Sequence, residues 1–166
     1  FENIKEEPTP SLLRNFSAPV RINYPYTTEE LYFLAVHDTD GFNRWNAVQL
    51  LAINVLAELE DDPAKEVPEI FVKTFIGIAE DALSQGTVDK AMLAHLLTLP
   101  TEGFLIEQAK IANVDAIHAA REKVANYLGF QLKELFIRIY QENNAVEVYQ
   151  VDSASIAKRA LKNLSL

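Results

Sequence analysis

No cysteine occurs anywhere in the 166 residues, which excludes disulfides, iron–sulfur clusters, thiolate zinc sites and thiol nucleophiles together. The absence fits a reducing compartment, although secreted proteins can lack cysteine too, and a cytoplasmic location is the expectation. Glycine is also scarce: there are five, none in a phosphate-cradling pattern, so P-loop and dinucleotide motifs are missing. Positive charge is short as well. Fifteen Lys and Arg stand against twenty-four Asp and Glu, giving a formal net charge of −9. A nucleic-acid binder concentrates cations on one face to replace phosphate counterions. The only basic cluster here is Lys158, Arg159 and Lys162, so no nucleic acid and no membrane is expected as a partner. No apolar run approaches the ~20 residues of a membrane span. The densest one, Val48 to Leu59, is broken by Gln49, Asn54 and Glu58. Phe1 to Lys5 lacks the basic-then-apolar order of a signal peptide, and the chain opens on Phe1 rather than Met. Its start is therefore expected to be a cut.

What is present is one domain's worth of ordinary globular chain, 49% hydrophobic and 23% charged. Two regions differ in character. Residues 1–26 hold Pro8, Pro10, Pro19 and Pro25, which are hostile to helix interiors. Within them Phe16 to Tyr24 alternates, with Val20, Ile22 and Tyr24 opposed to Arg21 and Asn23, and reads as a short strand. A lone strand is not stable in water, so it needs a partner on the helices or upstream of Phe1.

Residues 27–166 read as helix throughout. Thr27 and Glu30 form a capping-box pattern, and Asp40 or Asn43 can cap a helix from about Arg44 to Glu58. That helix is apolar around most of its circumference, so it is expected to be central, with Trp45 buried. Pro68 suits the first position of a third helix, striped by Phe71, Phe75, Ile78, Ala79, Ala82 and Leu83 and ended by Gly86. Shorter helices follow from Lys90 to about Leu99 and from Thr101 to about Ile111. Asp115 is expected to cap a long segment that Gly129 kinks or breaks, and Asp152 or Ser153 to cap a last helix. The fold class is therefore mainly α, a solenoid-like array of about seven to eight helices with a short β lead-in. The last helix reaches Leu166 without Gly, Asn or Pro to close it, as a truncated helix would.

Chemistry is thin. The three histidines, His37, His95 and His118, never fall within four residues of one another, so no two can share a metal from one helix turn. His118 and Glu122 are four apart, which is more simply an exposed helical pair than a two-ligand site. His37 suits a helix C-terminus, and His95 reads as a half-buried filler among leucines. The acidic run Glu58, Glu60, Asp61, Asp62, Glu66 and Glu69 lacks the spacing of an EF-hand and reads as a solvated loop. Gln49 and Asn54, if buried, must find partners and would then pin neighbouring loops. No catalytic, cofactor-binding or metal residue is assigned.

Four stretches together carry a resemblance. Ser11–Leu12–Leu13–Arg14–Asn15–Phe16–Ser17–Ala18–Pro19–Val20 and Phe42–Asn43–Arg44–Trp45–Asn46–Ala47–Val48–Gln49 are specific. Leu97–Thr98–Leu99–Pro100 and Ile156–Ala157–Lys158–Arg159–Ala160–Leu161 support them. In this order and spacing the chain resembles the bacterial aminopeptidase N family of zinc peptidases, although Asn46 stands where that family more often has an acid. The resemblance implies the end of a β-sandwich domain (residues 1–26) followed by the first part of a large helical superhelix domain (residues 27–166). It implies that zinc and the substrate's amine are bound outside this chain, because neither H-E-x-x-H nor Gly-Ala-Met-Glu-Asn occurs in it. The expected partners are then the catalytic and β-sandwich domains of the same longer chain, with peptides as substrates of the whole. The alternative is a free-standing α-solenoid that binds a partner protein. A weak homodimer is also expected, through one or both of two ends, Val20, Ile22 and Tyr24 at the first and Ile156, Leu161 and Leu164 at the second.

Overall fold

The computed structural model describes residues 8–18, 20, 22–84, 89–144 and 149–166. Among these, eight α-helices follow one another: α1 (Thr28–His37), α2 (Gly41–Asp61), α3 (Glu69–Ser84), α4 (Lys90–Leu96), α5 (Glu102–Gln108), α6 (Val114–Gln131), α7 (Lys133–Asn143) and α8 (Ser153–Leu164). The mainly α array expected from periodicity is present. The short β lead-in is not: no strand forms among the described residues, and Arg14–Phe16 makes a single 3-10 turn instead. The physical reason is that a strand needs a ladder partner, and every other described element is helical.

The helix starts follow the capping chemistry of the sequence. Thr27 accepts from the Glu30 N–H while the Glu30 carboxylate accepts from the Thr27 N–H, a complete capping box. Asp40 caps α2 through the Asn43 N–H at 2.9 Å, and Asp152 caps α8 through Ser155. Pro68 lies one residue ahead of α3, its carbonyl accepting from Phe71 and Val72. Two expectations move. The cap of α6 is Asn113 rather than Asp115, because the Asn113 side chain is the one that accepts from Ala116 N–H. Gly129 neither kinks nor breaks its helix; the interruption falls at Leu132, which is 1% exposed and turns the chain into α7 by burying its own side chain. Gly129 faces open space, so it costs helix propensity and nothing else. Helix α5 stops at Gln108, where Ala109 turns extended, and leaves Ile111 almost wholly exposed. Gly86 lies outside the described residues.

Helix α2 is the centre of the array. Its buried residues Ala47, Val48, Leu51, Ala52, Val55, Leu56 and Leu59 meet α1, α3, α4 and α6. Phe71 and Phe75 of α3 pack with tilted rings 4.9 Å apart within the same core, and Ile78, Leu93, Val124 and Ile139 bring in α3, α4, α6 and α7. Helix α8 packs on α4 and α7 through Leu161. That corrects part of the expected sticky end: Leu161 is buried and Leu164 rests on the core, leaving only Ile156 of the three exposed. Val20, Ile22 and Tyr24 are exposed as expected. Trp45 is another correction. It is half-buried: at the N-terminal turns of α2 its ring meets Phe42 at 5.8 Å and borders an open groove shared with His95 of α4, the connection after it and Phe104 of α5.

Core and surface aromatics should separate cleanly in urea unfolding. Phe71 is fully buried, so Phe71→Ala is expected to cost about 3–5 kcal/mol. Phe33 is half exposed beside His37, and Phe33→Ala should stay within about 0.5 kcal/mol. Equal costs for the two would contradict this core.

Candidate functional site

Two features of the array bring polar chemistry together. The first is a clasp between the segment ahead of α1 and the α1–α2 corner. The Ser11 hydroxyl donates to Asp38 Oδ2 at 2.5 Å. Arg14 donates through Nη1 to Asp38 Oδ1 at 2.6 Å and to Ser11 Oγ at 3.0 Å, and through Nη2 to Thr39 Oγ1 at 2.6 Å. Asn43, buried on the first turn of α2, donates its side-chain amide to Ser11 Oγ and to the Leu12 carbonyl. The Asn15 N–H donates to Asp40 Oδ2 at 2.7 Å, so one carboxylate caps α2 and holds the incoming chain. Tyr26 adds a bond from its hydroxyl to the Pro10 carbonyl.

Both carboxylates feel this. Burial alone would push the Asp38 carboxyl up, but bonds from Ser11, the Asp40 N–H and Arg14 outweigh it and hold the carboxyl below its ordinary range. The N–H groups of Asn43 and Asn15 do the same for Asp40, against a smaller burial effect. The clasp is a charged contact in which all four oxygens of the two carboxylates accept hydrogen bonds.

The second feature is a groove of about 290 Å³ lined by Trp45, Gln49, His95, Thr98, Leu99, Pro100, Thr101 and Phe104. Gln49 reaches across it to the Thr98 carbonyl at 3.0 Å, and Arg121 of α6 holds the Pro100 carbonyl at 2.9 Å. Buried Gln49 thus pins a loop, as its position required, while Asn54 is exposed and needs no partner. The walls are largely apolar, with no nucleophile–base pair.

The histidines are dispersed over α1, α4 and α6. His95 is exposed rather than half-buried, because α4 turns Leu93, Ala94 and Leu96 to the core and His95 away from it. His118 pairs not with Glu122 on its own helix but with Glu102 of α5, Nδ1 to Oε1 at 2.8 Å, and this hydrogen bond raises its pKa. Among the described residues no group of three or more His, Asp or Glu is placed to hold a metal ion. The acidic run is mostly exposed, with Lys65 paired to Glu58 and Lys123 donating to the Pro63 and Lys65 carbonyls. No described helix is long and apolar enough to cross a membrane.

Sequence reasoning did not foresee the clasp. Its signal was present: the two most specific stretches, Ser11–Val20 and Phe42–Gln49, are the ones that touch, through Ser11, Leu12 and Asn43.

The comparisons describe a helical array of the same kind. Residues 28–166 match the family model "Domain of unknown function (DUF3458_C) ARM repeats", and the chain belongs to this family. Over its full length it is 34% identical to the aminopeptidase N of Escherichia coli, covering 19% of that protein. It is 33% identical to the aminopeptidase N of Caulobacter vibrioides over 98% of this chain and 18% of that one. The fold superposes on a crystal structure of Legionella pneumophila aminopeptidase A in complex with aspartic acid with a TM-score of 0.82 and 28% identity, over 99% of this chain and 20% of that one. The resemblance to aminopeptidase N thus holds along the chain, which spans about a fifth of the length of the relatives it matches.

The clasp predicts an acid-sensitive stability. Folded-state pKa values of Asp38 and Asp40 lie below their unfolded values, so their contribution is full above about pH 4–5 and is lost as pH falls through the folded values. Urea midpoints should drop between pH 5 and pH 3, and drop less in a double Asp38→Asn, Asp40→Asn variant. An identical slope in both proteins would contradict the assignment.

Proposed function

We propose that this chain is a non-catalytic structural part of a zinc-dependent aminopeptidase N, in which a helical domain docks on the catalytic domain and encloses the active-site chamber. Residues 27–166 are the first part of that helical domain, and residues 1–26 are the end of the β-sandwich domain before it. The observation that carries this reading is the whole-chain match to a fifth of several aminopeptidases N, running through both regions without a gap in coverage. The lack of an H-E-x-x-H run in the sequence is in keeping with a zinc site that lies elsewhere in the longer protein. Zinc is held by residues outside this chain, the catalytic and β-sandwich domains are its partners, and peptides are substrates of the longer protein only. The lack of cysteine and the family resemblance favour a cytoplasmic setting.

The purified chain tests this. It is expected to hydrolyse no aminoacyl amide and to carry no stoichiometric zinc, and the reading frame upstream should encode H-E-x-x-H. One zinc per chain with activity lost in His118→Ala would overturn the reading. A frame without that motif would instead favour a free-standing solenoid. The exposed Val20, Ile22 and Tyr24 face is proposed to support weak homodimerisation of the isolated chain. Sedimentation should then show mass rising above 18.7 kDa with concentration, and a constant monomer mass would remove the dimer.

A further inference from the structure

We propose that Ser11, Arg14, Asp38 and Asn43 form a releasable joint, which fixes the segment ahead of α1 in one orientation on the helical array and can open without unfolding that array.

Three observations carry it. First, among the described residues the core is built without this segment. The buried apolar cluster of those residues begins at Leu31, and the earliest of them packed against it is Tyr26. Second, the hold on residues 11–15 is polar and concentrated at one corner. Arg14 alone makes three of the bonds and joins Ser11 to both Asp38 and Thr39. Its side chain is 45% exposed while that of Asp38 is 1% exposed, so a buried carboxylate is gripped by an accessible cation. Hydrogen bonds to charged groups are the strong kind, and removing one partner strands the other.

Third, the backbone under the clasp is held away from its preferred state. Leu13 and Asn15 have φ of 52° and 57°, in the left-handed region, and neither is glycine. Such conformations persist only where the surroundings over-determine them. Here the surroundings are the Leu12 carbonyl held by Asn43 and the Asn15 N–H held by Asp40, on either side of Leu13 and at Asn15 itself. Loss of the Arg14 anchor frees these residues to relax toward extended backbone. Helix α2 keeps its cap, because the bond from Asn43 N–H to Asp40 Oδ1 does not involve Arg14. The joint therefore has two states that share one folded array.

In a longer protein the joint sets the angle between the helical array and whatever domain precedes α1, which makes Arg14 and Asp38 positioning residues. This consequence rests on the proposed function; the joint itself does not.

Amide hydrogen exchange of this chain separates the possibilities. In Arg14→Ala the Asn15 amide is expected to exchange about tenfold faster or more, while α2 amides and the far-ultraviolet helix signal stay as they were. Arg14→Lys, which keeps a cation without the fork, should fall between. Unchanged exchange at Asn15 in Arg14→Ala would overturn the joint, because apolar packing would then hold the segment. Equal loosening of α1 and α2 would overturn it too, by making the clasp part of the array. In the full-length peptidase the same variant is expected to alter KM for peptides with zinc content unchanged. Unaltered kinetics alongside a released Asn15 would overturn the positioning role, whereas a full-length protein without peptidase activity would refute only the proposed function.

Discussion

Burial of one 21-residue helix organises everything else in this molecule. Helix α2 turns Val48, Leu51, Ala52, Val55, Leu56 and Leu59 inward, and four other helices are placed by covering them. About 25 cal/mol is released per Å² of apolar surface removed from water, so a helix covered along most of its length outweighs any polar contact in the array. The polar contacts have a different task. Asp40 fixes where α2 begins, Gln49 ties it to the connection between α4 and α5, and Asn43 ties it to the chain ahead of α1. Direction comes from these bonds, and cohesion from the core.

Most of the helical order was legible because caps and stripes are local signals. The Thr27–Glu30 box, the Asp40 and Asp152 caps and the stripe of Phe71, Phe75 and Ile78 all depend on residues three or four apart. What was not legible depends on distant chain. The alternation of Val20, Ile22 and Tyr24 reads as a strand only if another strand lies beside it, and none does among the described residues. Trp45 belongs to the right helix, but its exposure is decided by distant chain, the connection at Thr98–Thr101 and Phe104 of α5. His118 chose Glu102, sixteen residues away, over Glu122 on its own helix. Gly129 was expected to break a helix that propensity alone only weakens, and the burial of Leu132 moved the break three residues on.

The candidate sites share a property that bears on function. Charged and polar side chains here are consumed in holding the chain together: Arg14 pairs with the Asp38 side chain at the corner, while Arg121 and Gln49 hold backbone carbonyls of the α4–α5 connection and Lys123 those of the loop after α2. Among the described residues no buried side-chain nitrogen or oxygen lacks a hydrogen-bond partner. These polar side chains fix the shape of an array that aligns to a fifth of its aminopeptidase N relatives along its whole length.

The proposed function turns on enclosure of a chamber, and a chamber wall would act on substrate size. The decisive measurement is the rate at which the full-length protein removes the same N-terminal residue from a free tripeptide and from the ordered terminus of a folded protein. The account predicts rapid release from the tripeptide and almost none from the folded protein, with the gap narrowing when core substitutions in α2 loosen the array. Comparable rates for both substrates would contradict it.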